Sequence, residues 1–164
     1  MTIELLTAVG TTSQKLLLVV HLMAVVMAIG PTLLYGILGR ESRKYPGEVG
    51  AAFAGISPAL NKRVSLPALL VAAVSGTAMV VDSDDYWSFS QSWVSSAFAV
   101  VLALLLVGWF VLGPALSRLQ NAIAKGTEGE SEVRAAKASI GAATGLFHLG
   151  FVALLVLMVW KPGL

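Results

Sequence analysis

An all-α membrane four-helix bundle, running up-down-up-down, is the fold class that this sequence predicts, and three observations predict it. Hydrophobic residues make up 57% and charged residues 12% of the 164, with mean hydropathy +0.83, a balance found in chains that cross a bilayer repeatedly. Four apolar runs, at about 15–39, 64–81, 93–116 and 140–160, fall in the range that spans about 30 Å of hydrocarbon at about 1.5 Å per residue. The polar residues collect between those runs, where a chain crossing a membrane must turn. One integral membrane domain accounts for residues 1–164.

The first span, KLLLVVHLMAVVMAIGPTLLYGILG, carries no charge after Lys15 and holds His21 and the pair Gly30-Pro31. Thr11, Thr12 and Ser13 precede it as hydroxyl caps for the unpaired N–H groups of a helix start. The lead MTIELLTAVGTTSQ has no basic residue before an apolar core and no cleavage pattern, so it reads as mature sequence and not as a signal peptide. Pro31 removes a backbone hydrogen bond and predicts a kink, which neighbouring helices must repair. Residues 40–63 read as a basic, solvent-facing connection with room for a short surface helix.

In the second span Ala68, Ala72 and Gly76 recur every four residues, a small-residue stripe that lets helix backbones approach closely. The connection DSDDYWSFSQSW is acidic and holds Tyr86, Trp87 and Trp93, whose rings favour the water–lipid boundary. The third span ends near Gly113-Pro114, and a mixed-charge connection, 117–139, leads to the fourth. Basic residues orient the bundle. Arg40, Arg43, Lys44, Lys62 and Arg63 lie on one connection and Arg118, Lys125, Arg134 and Lys137 on another, nine of the eleven in the chain. Both connections should face the cytoplasm of a bacterial plasma membrane and both termini should lie outside. Trp87, Trp93 and Trp160 then mark the outer interface, and Trp109 is expected buried nearer the inner side.

AVVMAIGP (24–31) and VGWFVLGP (107–114) also resemble each other, each preceding a basic connection and a returning span, as a duplicated helical hairpin would. Composition excludes much else. With no cysteine there are no disulfides, thiolate metal sites, iron–sulfur clusters or cysteine nucleophiles, and a net charge of +2 offers nothing for nucleic acid. No catalytic triad, phosphate-cradling glycine loop or buried carboxylate pair is present.

An ionisable residue inside a span is a functional candidate by default, and two histidines qualify. His21 shares a face with Ala24, Ala28 and Thr32, and His148 follows Gly141, Thr144 and Gly145, so each is expected to face the bundle interior. Either imidazole suits a haem or metal ligand. The two enter from opposite sides, which disfavours one haem held between them. A His–Met arrangement is the competitor: Met23, Met79 and Met158 fall in the outer half with His21, and thioethers with imidazole suit copper or haem. Methionine also fills apolar gaps with no ligand at all, and His148 has an equally good structural use as a hydrogen-bond donor between helices. Asp82, Asp84 and Asp85 could hold a divalent cation but lack the glycine and glutamate of a calcium loop, so a solvated hairpin tip is the simpler account.

The pattern HLMAVVMAIGPTLLYG in the first span, with MVWKPG closing the last, resembles a bacterial family of small four-span membrane proteins of unknown function. That family is distantly similar to the copper-resistance D type membrane domain and to the bacterial membrane protoporphyrinogen oxidase. The resemblance implies a haem- or metal-ligand role for His21. The chain lacks the oxidase's paired histidine, the tryptophan after it and a lysine inside span three, so oxidase activity is not implied.

Three readings of function follow. The first is a protein that binds a tetrapyrrole, haem b in particular, or copper, with His21 and His148 as cofactor ligands and His21, Met79 and Met158 as the metal set. The second is a non-catalytic membrane subunit, a homo-oligomer or an assembly partner of other membrane proteins. The third is a small-solute transporter gated at Pro31 and Pro114. In every reading the lipid bilayer is the surrounding partner.

Overall fold

The computed structural model describes residues 11–45, 47–83 and 86–162, the side chain of Thr127 excepted. Asp84, Asp85 and most of the lead read as mature sequence lie outside them. Among the described residues there is no strand. Four helices long and apolar enough to cross a membrane make the bundle: α1 Thr12–Glu41, α2 Glu48–Val81, α3 Ser92–Ala124 and α4 Glu130–Trp160. They alternate in direction. The start of α1 meets the end of α2, where Ser13 Oγ donates to Asp82 at 2.5 Å and Gln14 Nε2 to the Asp82 carbonyl at 2.6 Å. The start of α3 meets the end of α4 through Ser92 and the Pro162 carbonyl, 3.2 Å. Asp82, read as a candidate cation ligand, thus ties two helix ends together.

The helices are longer than the apolar runs. Thr11 caps α1 by accepting from the Gln14 N–H at 3.3 Å, and the helix runs unbroken through Pro31. Residues 48–63 are not a solvent-facing connection but the first half of α2. Gly50, Ala54, Ser57, Asn61 and Ser65 continue the small-residue stripe of Ala68 and Ala72 at helical spacing, and all are buried, while Lys62 and Arg63 point outward. A helix with one small, buried face and basic side chains opposite needs no loop. Residues 117–139 are likewise mostly helical. Leu116, Leu119 and Ile123 bury one side of α3, Arg118 is exposed, and only 125–129 turn between α3 and α4.

Two of these helices contain a π turn, Asn61–Ser65 in α2 and Gly108–Leu112 in α3. Each ends two residues before a proline, Pro67 and Pro114. Proline has no N–H and crowds the carbonyl one turn back. The wider turn displaces that carbonyl, and the N–H groups of Leu66 and Gly113 reach back five residues to Asn61 and Gly108. Pro31 has no such turn, so the two Gly-Pro pairs of the suggested repeat differ locally.

The core runs the length of the bundle, with Ala28, Tyr35, Leu69, Leu104, Leu112, Phe147 and Phe151 among its members. A smaller cluster of Val80, Trp93 and Val94 closes the end where α1 begins and α4 ends. There Lys161 sits 4.7 Å from the Trp87 ring centroid and 5.8 Å from that of Trp93, the two rings being edge-to-face. Trp160 points outward, and so does Trp109, which is 61% exposed and not buried as expected. Trp109 occupies the π turn on its exposed side, where lipid accommodates an aromatic ring. Large apolar side chains cover the outside of all four helices, from Leu16 on α1 to Val159 on α4. In water that shell would associate; in a bilayer it is solvated.

Packing at Gly108 is testable. A Cβ there would fall 2.7 Å from Leu66 Cδ2 and 3.1 Å from Phe147 Cζ, whereas one at Gly141 meets nothing within 4 Å. Gly108→Ala should destabilise the detergent-solubilised protein by about 1–3 kcal/mol, while Gly141→Ala should be neutral or slightly stabilising, as thermal unfolding would show.

Candidate functional site

His21 is 7% exposed and lies against α2. Its ring rests on the stripe predicted to admit close approach: Nδ1 is 2.9 Å from the Ala72 carbonyl and 3.2 Å from Ser75 Oγ, and a Cβ on Gly76 would stand 3.3 Å from Cε1. A side chain at position 76 would displace the imidazole. The partners set the tautomer. A carbonyl only accepts, so the proton is on Nδ1, and Nε2 carries the lone pair with no hydrogen-bond partner among the described residues. An imidazole oriented by Nδ1–H on a backbone carbonyl, with Nε2 open, is the arrangement of most histidine metal ligands.

An apolar groove runs along the outer side of α1 and α2, and His21 is not among its lining residues. Leu17 and Val20 of α1 and Val74, Thr77 and Ala78 of α2 form its walls, and Ser13 and Asp82 close its far end.

His148 is half-buried and has a different environment. Its Nε2 is 3.2 Å from Thr32 Oγ1, and the Thr32 hydroxyl donates to the Ile29 carbonyl at 2.7 Å. Because that hydroxyl has one proton, Nε2 of His148 must be the donor between helices. The two histidines are therefore opposite tautomers. Thr32 is eleven residues beyond His21, about 16 Å along the α1 axis. Two imidazoles that far apart along the bundle cannot ligate one iron, so the structure separates these two candidate ligands. Met79 and Met158 are half-buried, and Met23, 60% exposed, faces away from the interior. Among the described residues no group of three or more His, Cys, Asp or Glu could hold a metal ion.

Sequence reasoning missed the polar level around Thr32. Tyr35 Oη and Ser65 Oγ meet 3.3 Å apart between α1 and α2, and Asn61 Nδ2 donates to the Gly108 carbonyl at 3.2 Å between α2 and α3. Asn61 is 2% exposed, and its Oδ1 has no partner among the described residues, as is true of Thr144 Oγ1 one turn from His148. The signal for Asn61 was present: Ser57, Asn61 and Ser65 recur every four residues and run into the Ala68–Ala72 stripe. Its neighbours Lys62 and Arg63 disguised it as loop. The face given to His148 also needs correction, because Gly141 and Gly145 are exposed, and Ile140, Ala143 and Phe147 fill the interior. The large side chains supply the buried area that glycine cannot.

Removing the pairs should have separable effects. Asn61→Leu leaves the extra acceptor capacity of Gly108 unused and should cost about 0.5–2 kcal/mol of stability. Thr32→Val should shift His148 away from the Nε2–H tautomer in nitrogen NMR of the labelled imidazole, without changing His21.

No curated protein matches the chain, and no solved structure matches it. One family model, described as "Predicted integral membrane protein (DUF2269)", matches residues 15–162. That range takes in three of the four apolar helices whole and all but the first three residues of α1, with both histidines, and the chain belongs to this family of integral membrane proteins.

Proposed function

We propose that this integral membrane protein binds a tetrapyrrole, haem b being the form considered, with Nε2 of His21 as the ligand to iron. One observation carries the reading: the Ala72 carbonyl holds Nδ1–H of a buried imidazole and leaves Nε2 unpartnered. Bound haem would supply iron-centred electron or small-ligand chemistry. The chain's part is to orient one imidazole, keep it neutral and exclude water. His148 is a cross-helix donor in this reading, and copper held by His21 with Met79 and Met158 is the alternative occupant. The excess of Lys and Arg at the opposite end of the bundle supports a reading in which that end faces the cytoplasm of a bacterial plasma membrane.

The test is the visible spectrum of protein purified in mild detergent, oxidised and reduced, with haem offered. A Soret band in wild type and in His148→Ala, absent in His21→Ala, is the expected result. Loss of the band only in His148→Ala would reverse the ligand assignment, and no band in any form would end the haem reading and leave copper analysis to decide the rest.

A second reading, self-association, is favoured by α4. Gly141 and Gly145 are exposed four residues apart, and a Cβ on either meets nothing within 4 Å. Paired small residues on a lipid-facing helix admit a second helix at close range. Gly141→Leu with Gly145→Leu should abolish a cross-linked dimer in membranes if this face is used, with the spectrum of the His21 site unaltered.

A further inference from the structure

At the end of the bundle opposite His21 a cleft of about 480 Å³ opens between the α1–α2 connection, the end of α3 and the start of α4. Arg43, Arg134 and Lys137 line it, and Glu130 is the one acidic residue among its lining residues. Arg134 and Lys137, three residues apart on α4, lie on the same helix face, and the charge of Arg43 acts on Lys137 from across the cleft. Nearby carboxylates are engaged elsewhere. Glu41 binds Lys44 at 2.7 Å, and Glu132 binds Lys125 at 2.7 Å. No ion pair joins Arg43, Arg134 or Lys137 to any described carboxylate. Three cations thus share one concave site with a single negative charge, a repulsive arrangement that an anion would relieve.

The place of the cleft limits the anion. Arg134 and Lys137 immediately precede the last apolar run, so the site lies near the water–lipid boundary. Tyr45 on its rim stacks against Phe53 at 5.7 Å, an aromatic pair suited to that boundary, and Ile123 and Val133 add an apolar wall. We propose that this cleft binds a phosphoryl oxyanion, and specifically the headgroup of an anionic phospholipid. Guanidinium groups match the paired oxygens of a phosphodiester, Lys137 adds a point charge, and the apolar wall receives the first methylenes of an acyl chain.

The test equilibrates the full chain in mild detergent with equimolar phosphatidylglycerol and phosphatidylethanolamine and counts retained lipid by native mass spectrometry. Wild type should retain phosphatidylglycerol selectively. The combined Arg43→Gln, Arg134→Gln and Lys137→Gln variant should lose that selectivity, roughly fivefold for each cation removed. Arg43→Lys with Arg134→Lys, which keeps the charge, should retain part of it. Arg118→Gln, outside the cleft, should match wild type. A second arm offers inorganic phosphate without lipid: saturable binding lost in the triple variant, with no lipid selectivity, assigns the same chemistry to a soluble phosphate. Unchanged retention in a triple variant with wild-type circular dichroism overturns the proposal, as does binding of neither probe by wild type. If the triple variant does not fold, Arg134→Gln alone gives the same comparison.

Discussion

The structure depends on the bilayer's inability to hydrogen-bond. Every polar group carried into hydrocarbon must find a partner inside the bundle or lose free energy that water would have supplied. Much of that demand is met at the level of Thr32, apart from His21 and its partners. Thr32 and His148 join α1 to α4, Tyr35 and Ser65 join α1 to α2, and Asn61 with the Gly108 carbonyl joins α2 to α3. Phe147 against Gly108 completes the circuit between α3 and α4 by packing. Three polar contacts and one apolar contact thereby fix how all four helices meet.

The prolines belong to the same economy of partners. Pro67 and Pro114 each remove a donor, and the π turn before each restores backbone pairing at a different spacing. In α3 this leaves the Gly108 carbonyl accepting twice, from the Gly113 N–H and from Asn61. Packing follows, because the absence of a side chain at Gly108 is what leaves Leu66 and Phe147 the space a Cβ would take. Sequence, hydrogen bonding and close approach therefore meet at a single residue.

His21 stands apart from this circuit, and that separation gives it functional interest. His148 spends its proton on holding α4 to α1. His21 is anchored through one nitrogen on a stripe of small residues and has a second nitrogen to offer. The two depths also divide the molecule chemically: an open imidazole toward the end where α1 begins and α4 ends, and a cluster of unpaired cations at the other end.

Composition and the spacing of apolar runs were enough to specify four antiparallel helices, because hydrocarbon admits few other solutions for a chain this apolar. The inward face of His21 and the close-packing use of Ala68, Ala72 and Gly76 were also legible, since helical periodicity decides which residues share a face. Helix ends were not. Charge at Lys62 and Arg63 looked like a loop, although long basic side chains lie readily outside a helix whose other face is buried. The pairings of Asn61 with Gly108 and of His148 with Thr32 were beyond reach for a simpler reason: they join residues 47 and 116 positions apart, and only the packing of whole helices decides which distant atoms become partners.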